Sequence, residues 1–120
     1  MMNSYDLLIS CASWEERFEK SITHHQENNS ISQSLLFGVK EYQHLYGDFG
    51  SDTEKLVDDQ VHYISAYDDI FTWKKIQQLF ADHDISQKRV LIDVSTMPRY
   101  LIWYLLHFLV AKENQVTYSY

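Results

Sequence analysis

The sequence predicts an α/β domain of Rossmann-like build: a three-layer sandwich around a mainly parallel sheet of about five strands. Two observations carry this. Short apolar runs alternate along the chain with segments of helical periodicity. The runs at residues 5–11 and 89–94 are apolar at nearly every position, as strands covered by helices on both faces are.

The elements follow in order. YDLLISC, residues 5–11, reads as the first strand. Ser13 and Glu16 form an S-x-x-E capping box, after which Trp14, Phe18 and Ile22 share one helical face. That helix is expected to end near His25, before an Asn28-Asn29-Ser30 loop. SLLFGV, residues 34–39, reads as the second strand, followed by a turn-rich stretch with two glycines. Ser51 and Glu54 repeat the capping spacing ahead of a short helix, and VHYISAY, residues 61–67, is the third strand. Asp68 or Asp69 caps a helix with Trp73, Ile76, Leu79 and Phe80 on one stripe. Residues 89–94 form the fourth strand, Thr96 to Pro98 open the last helix, and QVTYSY closes the chain as a fifth strand.

A chain of 120 residues fits a single domain, residues 1–120, long enough to bury roughly two thirds of its unfolded surface. Because the sequence stops on a strand, it also reads as the N-terminal part of a longer protein. Hydrophobic residues make up 45% and aromatics 15%, which places it with globular chains rather than disordered ones. The net charge of −7 offers no general field for phosphate backbones, so nucleic acid is disfavoured as a partner while a small anion is not.

The single Cys11 cannot form an internal disulfide, and the six histidines lack metal-ligand spacing. No metal and no tightly held cofactor are expected. The start MMNSYDLLIS has neither the basic residues nor the apolar run of a secretion signal, so a cytoplasmic location is expected. The apolar run 100–111 is short of the ~20 residues a membrane crossing needs. It reads as a buried helix, apolar almost all round, whose outer side needs a cover. A homodimer contact or a second domain through residues 98–112 would supply one.

The chemistry centres on VLIDVSTMPR. Asp93 is a carboxylate at the end of an apolar strand, and such a charge needs a partner or a task. In a sheet of order 3-2-1-4-5, ligands bind where the loops leaving strands one and four diverge. That crevice would gather Ser10, Ser13, Ser95, Thr96 and Arg99 as ligand-binding residues, suited by hydroxyls, a helix start and a guanidinium to a small nucleotide-like anion. The plainer account has Ser95 or Thr96 capping the helix and Asp93 paired inside the fold. Glu15 and Glu16 sit in the first turn of helix one, where carboxylates favour the helix dipole. Facing Asp93, either would complete a paired-carboxylate site for acid and base work.

Cys11 and Arg17 spell Cys-x5-Arg, the spacing of a tyrosine phosphatase loop, but ASWEE lacks glycine and sets two glutamates where a phosphate would bind. A buried core cysteine is the expected alternative. His24 and His25 read as surface histidines, and His107 as a core or interface histidine.

YDLLIS followed by WEER resembles the first strand and turn of Toll/interleukin-receptor domains, although no position here takes the part of that family's catalytic glutamate. VLIDVSTMPR with its apolar helix resembles the strand, turn and helix of CARF domains, dimeric Rossmann-like sensors of cyclic oligoadenylate in CRISPR-linked defence. Arg99 falls where that family's turn carries a basic residue. The resemblance implies a nucleotide or second-messenger sensor in prokaryotic antiviral defence. A nucleotide-processing hydrolase using Asp93 with Glu15 or Glu16, and a ligand-free interaction subunit, are the alternatives. With three glycines and neither G-x-G-x-x-G nor a Walker loop, an ordinary dehydrogenase or NTPase is disfavoured.

Overall fold

The computed structural model describes residues 3–12, 16–42, 61–82 and 86–119. Its elements are β1 (Asn3–Cys11), α1 (Glu16–Asn28), β2 (Asn29–Val39), a 3-10 turn at Lys40–Tyr42, β3 (Val61–Ile64), α2 (Asp69–Asp82), β4 (Arg89–Asp93), α3 (Arg99–Ala111) and β5 (Gln115–Ser119). The strands form one sheet in the order β3-β2-β1-β4-β5, and every pairing is parallel. This is the Rossmann-like α/β sandwich expected. The short helix anticipated after Ser51 lies outside the described residues.

Strand alternation divides the core between two faces. Leu7, Ile9, Phe37, Ile64, Val90 and Ile92 pack on one side beneath Ile76, Leu79 and Phe80 of α2 and Leu101, Leu105 and Leu109 of α3. On the other side Leu36 and Val61 meet Phe18 and Ile22 of α1, and Leu8 packs with Tyr5 and Leu91. Between α2 and α3, the half-buried Trp73 places its ring 4.6 Å from Phe108, 5.5 Å from Tyr104 and 5.0 Å from His107. His107 itself is exposed, so it is not a core histidine. Gly38 meets a close approach, because a Cβ there would lie 2.7 Å from Cγ1 of Val61.

Several boundaries differ from those expected, each for a local reason. Helix α1 runs to Asn28, and β2 begins at Asn29 without an intervening loop. The amides of Asn28 and Asn29 donate to the carbonyls of His24 and His25, closing the helix end from within. Asn29, Ser30 and Ile31 can then pair with Asn3, Ser4 and Tyr5. Strand β3 stops at Ile64, because the Ser65 hydroxyl accepts the N–H groups of Tyr67 and Asp68 and turns the chain. Asp68 then caps α2 by accepting the Phe71 N–H at 3.0 Å. Thr96 does not cap α3. That helix opens at Arg99 behind Pro98, with no side-chain cap.

No described helix is long and apolar enough to cross a membrane.

Candidate functional site

Asp93 points toward α1, on the opposite side of the sheet from α3. Successive strand residues alternate faces, so Asp93 shares the face of Leu91, which packs against Leu8. On α1, Ser21 and His25 are four positions apart on the stripe that also holds Phe18 and Ile22. The Ser21 hydroxyl donates to Oδ2 of Asp93, and Nε2 of His25 lies 3.2 Å from the same oxygen. Oδ1 accepts the Ser95 N–H at 3.0 Å and the Ser95 hydroxyl at 2.6 Å.

Asp93 is 2% exposed and His25 4%. Burial pushes the Asp93 carboxyl up, but the contacts with His25, Ser21 and Ser95 outweigh it and hold it at about 2. His25 is therefore a buried partner of Asp93, not the surface histidine expected.

A depressed carboxylate stabilises the fold above its unfolded pKa and ceases to do so as pH falls through its folded one. For Asp93 that window runs from about pH 4 down to about 2. Urea titrations across it are expected to lose about 2 kcal/mol through this group, and Asp93→Asn is expected to remove that part of the acid dependence. A variant with the same acid slope as the parent would show that Asp93 is not the group responsible.

Of the other candidates singled out from the sequence, those whose side chains are described do not converge on one crevice. Ser13 and Glu15 lie outside the described residues, and Glu16 opens α1. Ser10 is fully buried, and its hydroxyl meets no partner among the described residues. Ser95 is engaged by Asp93. The Thr96 hydroxyl donates to the Cys11 carbonyl at 2.8 Å, tying the ends of β1 and β4 together at the switch in strand order. Cys11 is buried, and burial pushes its thiol up to about 12. It stays protonated at neutral pH and cannot serve as a thiolate nucleophile.

Arg99 belongs elsewhere. It lies on the α3 side of the sheet and lines a cleft of about 460 Å³ with Val94, Met97, Ile102, Trp103, Leu106 and Tyr118. The cleft lies beside the uncapped start of α3, where helix N–H groups favour an anion. Trp103 and Tyr118, 70% and 42% exposed, offer aromatic surface next to the guanidinium. Neither aromatic was among the ligand-binding candidates in the sequence. Their signal was an outward Trp one turn after Arg99 and a tyrosine on the strand that follows α3.

A second, more polar cleft of about 380 Å³ flanks α1 and is lined by His24, His25, Asn28, Thr117 and Ser119 among others. Among the described residues, no group of three or more His, Cys, Asp or Glu side chains could hold a metal ion. No protein-family model matches this chain and no curated protein matches its sequence.

Proposed function

We propose that this domain is a binding module for a nucleotide or nucleotide-derived messenger, seated in the cleft between α3 and β5. The observation that carries the reading is the convergence of Arg99, Trp103 and Tyr118 on one cleft at the start of α3. A phosphate would take the guanidinium and the helix start, and a base would lie against an aromatic face. The likeness of residues 90–99 to the turn of CARF sensors points to the same ligand class, and with it to a cytoplasmic role in antiviral defence.

Binding is favoured over hydrolysis by the state of Asp93. A general acid must hold its proton near working pH, whereas this carboxyl sits at about 2 with both oxygens engaged inside the fold. It anchors α1 to the sheet.

The test is isothermal titration with ATP, NAD, ADP-ribose, cyclic dinucleotides and cyclic oligoadenylates, each recovered afterwards and checked for breakdown. Saturable heat with intact ligand is expected, weakened about tenfold or more in Arg99→Ala, because the loss of one charged contact to phosphate is worth roughly 1.5 to 3 kcal/mol. Tyr118→Ala should also weaken binding. Breakdown of the recovered ligand would favour the hydrolase, and silence across the panel would defeat both.

A further inference from the structure

Helices α2 and α3 pack on one face of the sheet, and α1 packs on the other over β2. Beside α1, residues of β4 and β5 border the polar cleft of about 380 Å³, a size usual for a small-molecule site. Thr117 and Ser119 of β5 stand in register with Leu91 and Asp93 of β4 and share their face. On the α1 side, Asn28 and Asn29 each spend an amide hydrogen on the His24 and His25 carbonyls, and their Oδ1 atoms remain as acceptors. His25 lines the same cleft, while its Nε2 lies 3.2 Å from Asp93. A buried carboxylate at that distance, ionised at neutral pH, favours the ring hydrogen on Nε2 and leaves Nδ1 as the accepting nitrogen.

We propose that this cleft is a second binding site, for an uncharged, hydroxyl-rich ligand of the sugar class, with Nδ1 of His25 accepting a ligand hydroxyl and Asp93 fixing the ring from behind. Imidazole, carboxamide and hydroxyl groups line it, and among the described lining residues there is no lysine, arginine, aspartate or glutamate. A ligand charge of either sign would therefore lose water without gaining a counter-charge from the lining. Sugar hydroxyls both donate and accept, which suits the hydroxyls of Thr117 and Ser119 as well as the acceptors on α1. Asp93 is a positioning residue here: it acts on the ligand through His25.

This site does not depend on the nucleotide reading. Arg99 and Trp103 line the cleft beside α3, whereas His25, Asn28 and Thr117 line the one beside α1, so sugar binding and nucleotide binding succeed or fail separately.

Long-range proton–nitrogen NMR of the histidine rings tests the proposal during titration with glucose, galactose, mannose, ribose and maltose, with glucosamine and glucose 6-phosphate as the charged counterparts. The His25 ring is expected to carry its hydrogen on Nε2 and to shift saturably with at least one neutral sugar, while the exposed His107 ring stays still. Asp93→Asn should turn the His25 signal into a mixture of tautomers. Thr117→Val, at an exposed strand position that tolerates the change, should weaken the sugar about fivefold through one lost hydrogen bond. His25→Gln keeps an amide for Asp93 but no ring nitrogen for the cleft, and should weaken it at least as much, with far-UV circular dichroism to confirm folding. A His25 ring that no neutral sugar shifts, a charged counterpart that binds as tightly as the neutral sugar, or a Thr117→Val variant that binds like the parent would each overturn the assignment.

Discussion

Asp93→Ala is expected to destabilise the domain by about 3 kcal/mol or more, because several buried donors lose their acceptor at a cost of roughly 1 to 3 kcal/mol each. The carboxylate serves three residues at once. Without it the Ser95 N–H and hydroxyl lose their acceptor, Ser21 loses its own, and His25 is left buried beside nothing charged. The penalty comes from the stranded partners rather than from the strength of the pair. Replacing Asp93 together with two of its partners, as in Ser21→Ala with His25→Leu and Asp93→Leu, leaves only Ser95 without its acceptor and should therefore cost less than Asp93→Ala alone. Urea denaturation followed by circular dichroism compares the two, and a triple variant less stable than the single one would contradict this account.

Leu105→Ala should cost about 2 to 5 kcal/mol by a different route, the loss of buried methyl groups together with the cavity they leave. Leu105 is fully buried at the middle of the α3 stripe, between Leu101 and Leu109, and it joins the cluster that also holds Ile92 and Phe37. Sheet and helix close on it from opposite sides, so little relaxation can fill the space. With typical domain stabilities of about 5 to 15 kcal/mol, either substitution removes a large share of the total. They should respond differently to acid. The loss in Leu105→Ala should be the same at pH 3 and pH 7, whereas the Asp93→Ala loss shrinks at low pH as the parent also loses its carboxylate.

The sheet was readable because its inner strands β1 and β4 carry apolar residues on both faces, and α2 because Asp68 caps it. Alternation of strands with helices points to a parallel sheet, and the observed order is the doubly wound one in which a crevice between the first and fourth strands was sought. The α2 stripe was legible for the same reason: Ile76, Leu79 and Phe80 recur at helical spacing and are buried together. The partner of Asp93 was harder to see, because it depends on a contact spanning 72 residues. A clue existed in the polar pair Ser21 and His25, which interrupts the apolar stripe of α1 opposite a polar residue in an apolar strand. His25 adjoins the exposed His24, and adjacency in the sequence does not say which of the two faces the sheet. Thr96 looked like a cap from local spacing, yet its hydroxyl bonds the Cys11 carbonyl of a neighbouring strand. Local propensity gives no weight to such cross-strand ties.

The place of β1 in the sheet has a consequence for how the chain acquires its shape. The first strand made is the middle one, flanked by β2 on one edge and β4 on the other. Its pairing with β2 closes a short β-α-β unit, but Leu7, Leu8 and Ile9 must wait for Val90, Leu91 and Ile92 before their second edge is filled. Until β4 is made, β1 carries an open edge, the condition under which parallel sheets fold slowly and aggregate. The contact of Ser21 with Asp93 needs β4 in place, so it belongs to the docking of β4 and not to the first β-α-β unit.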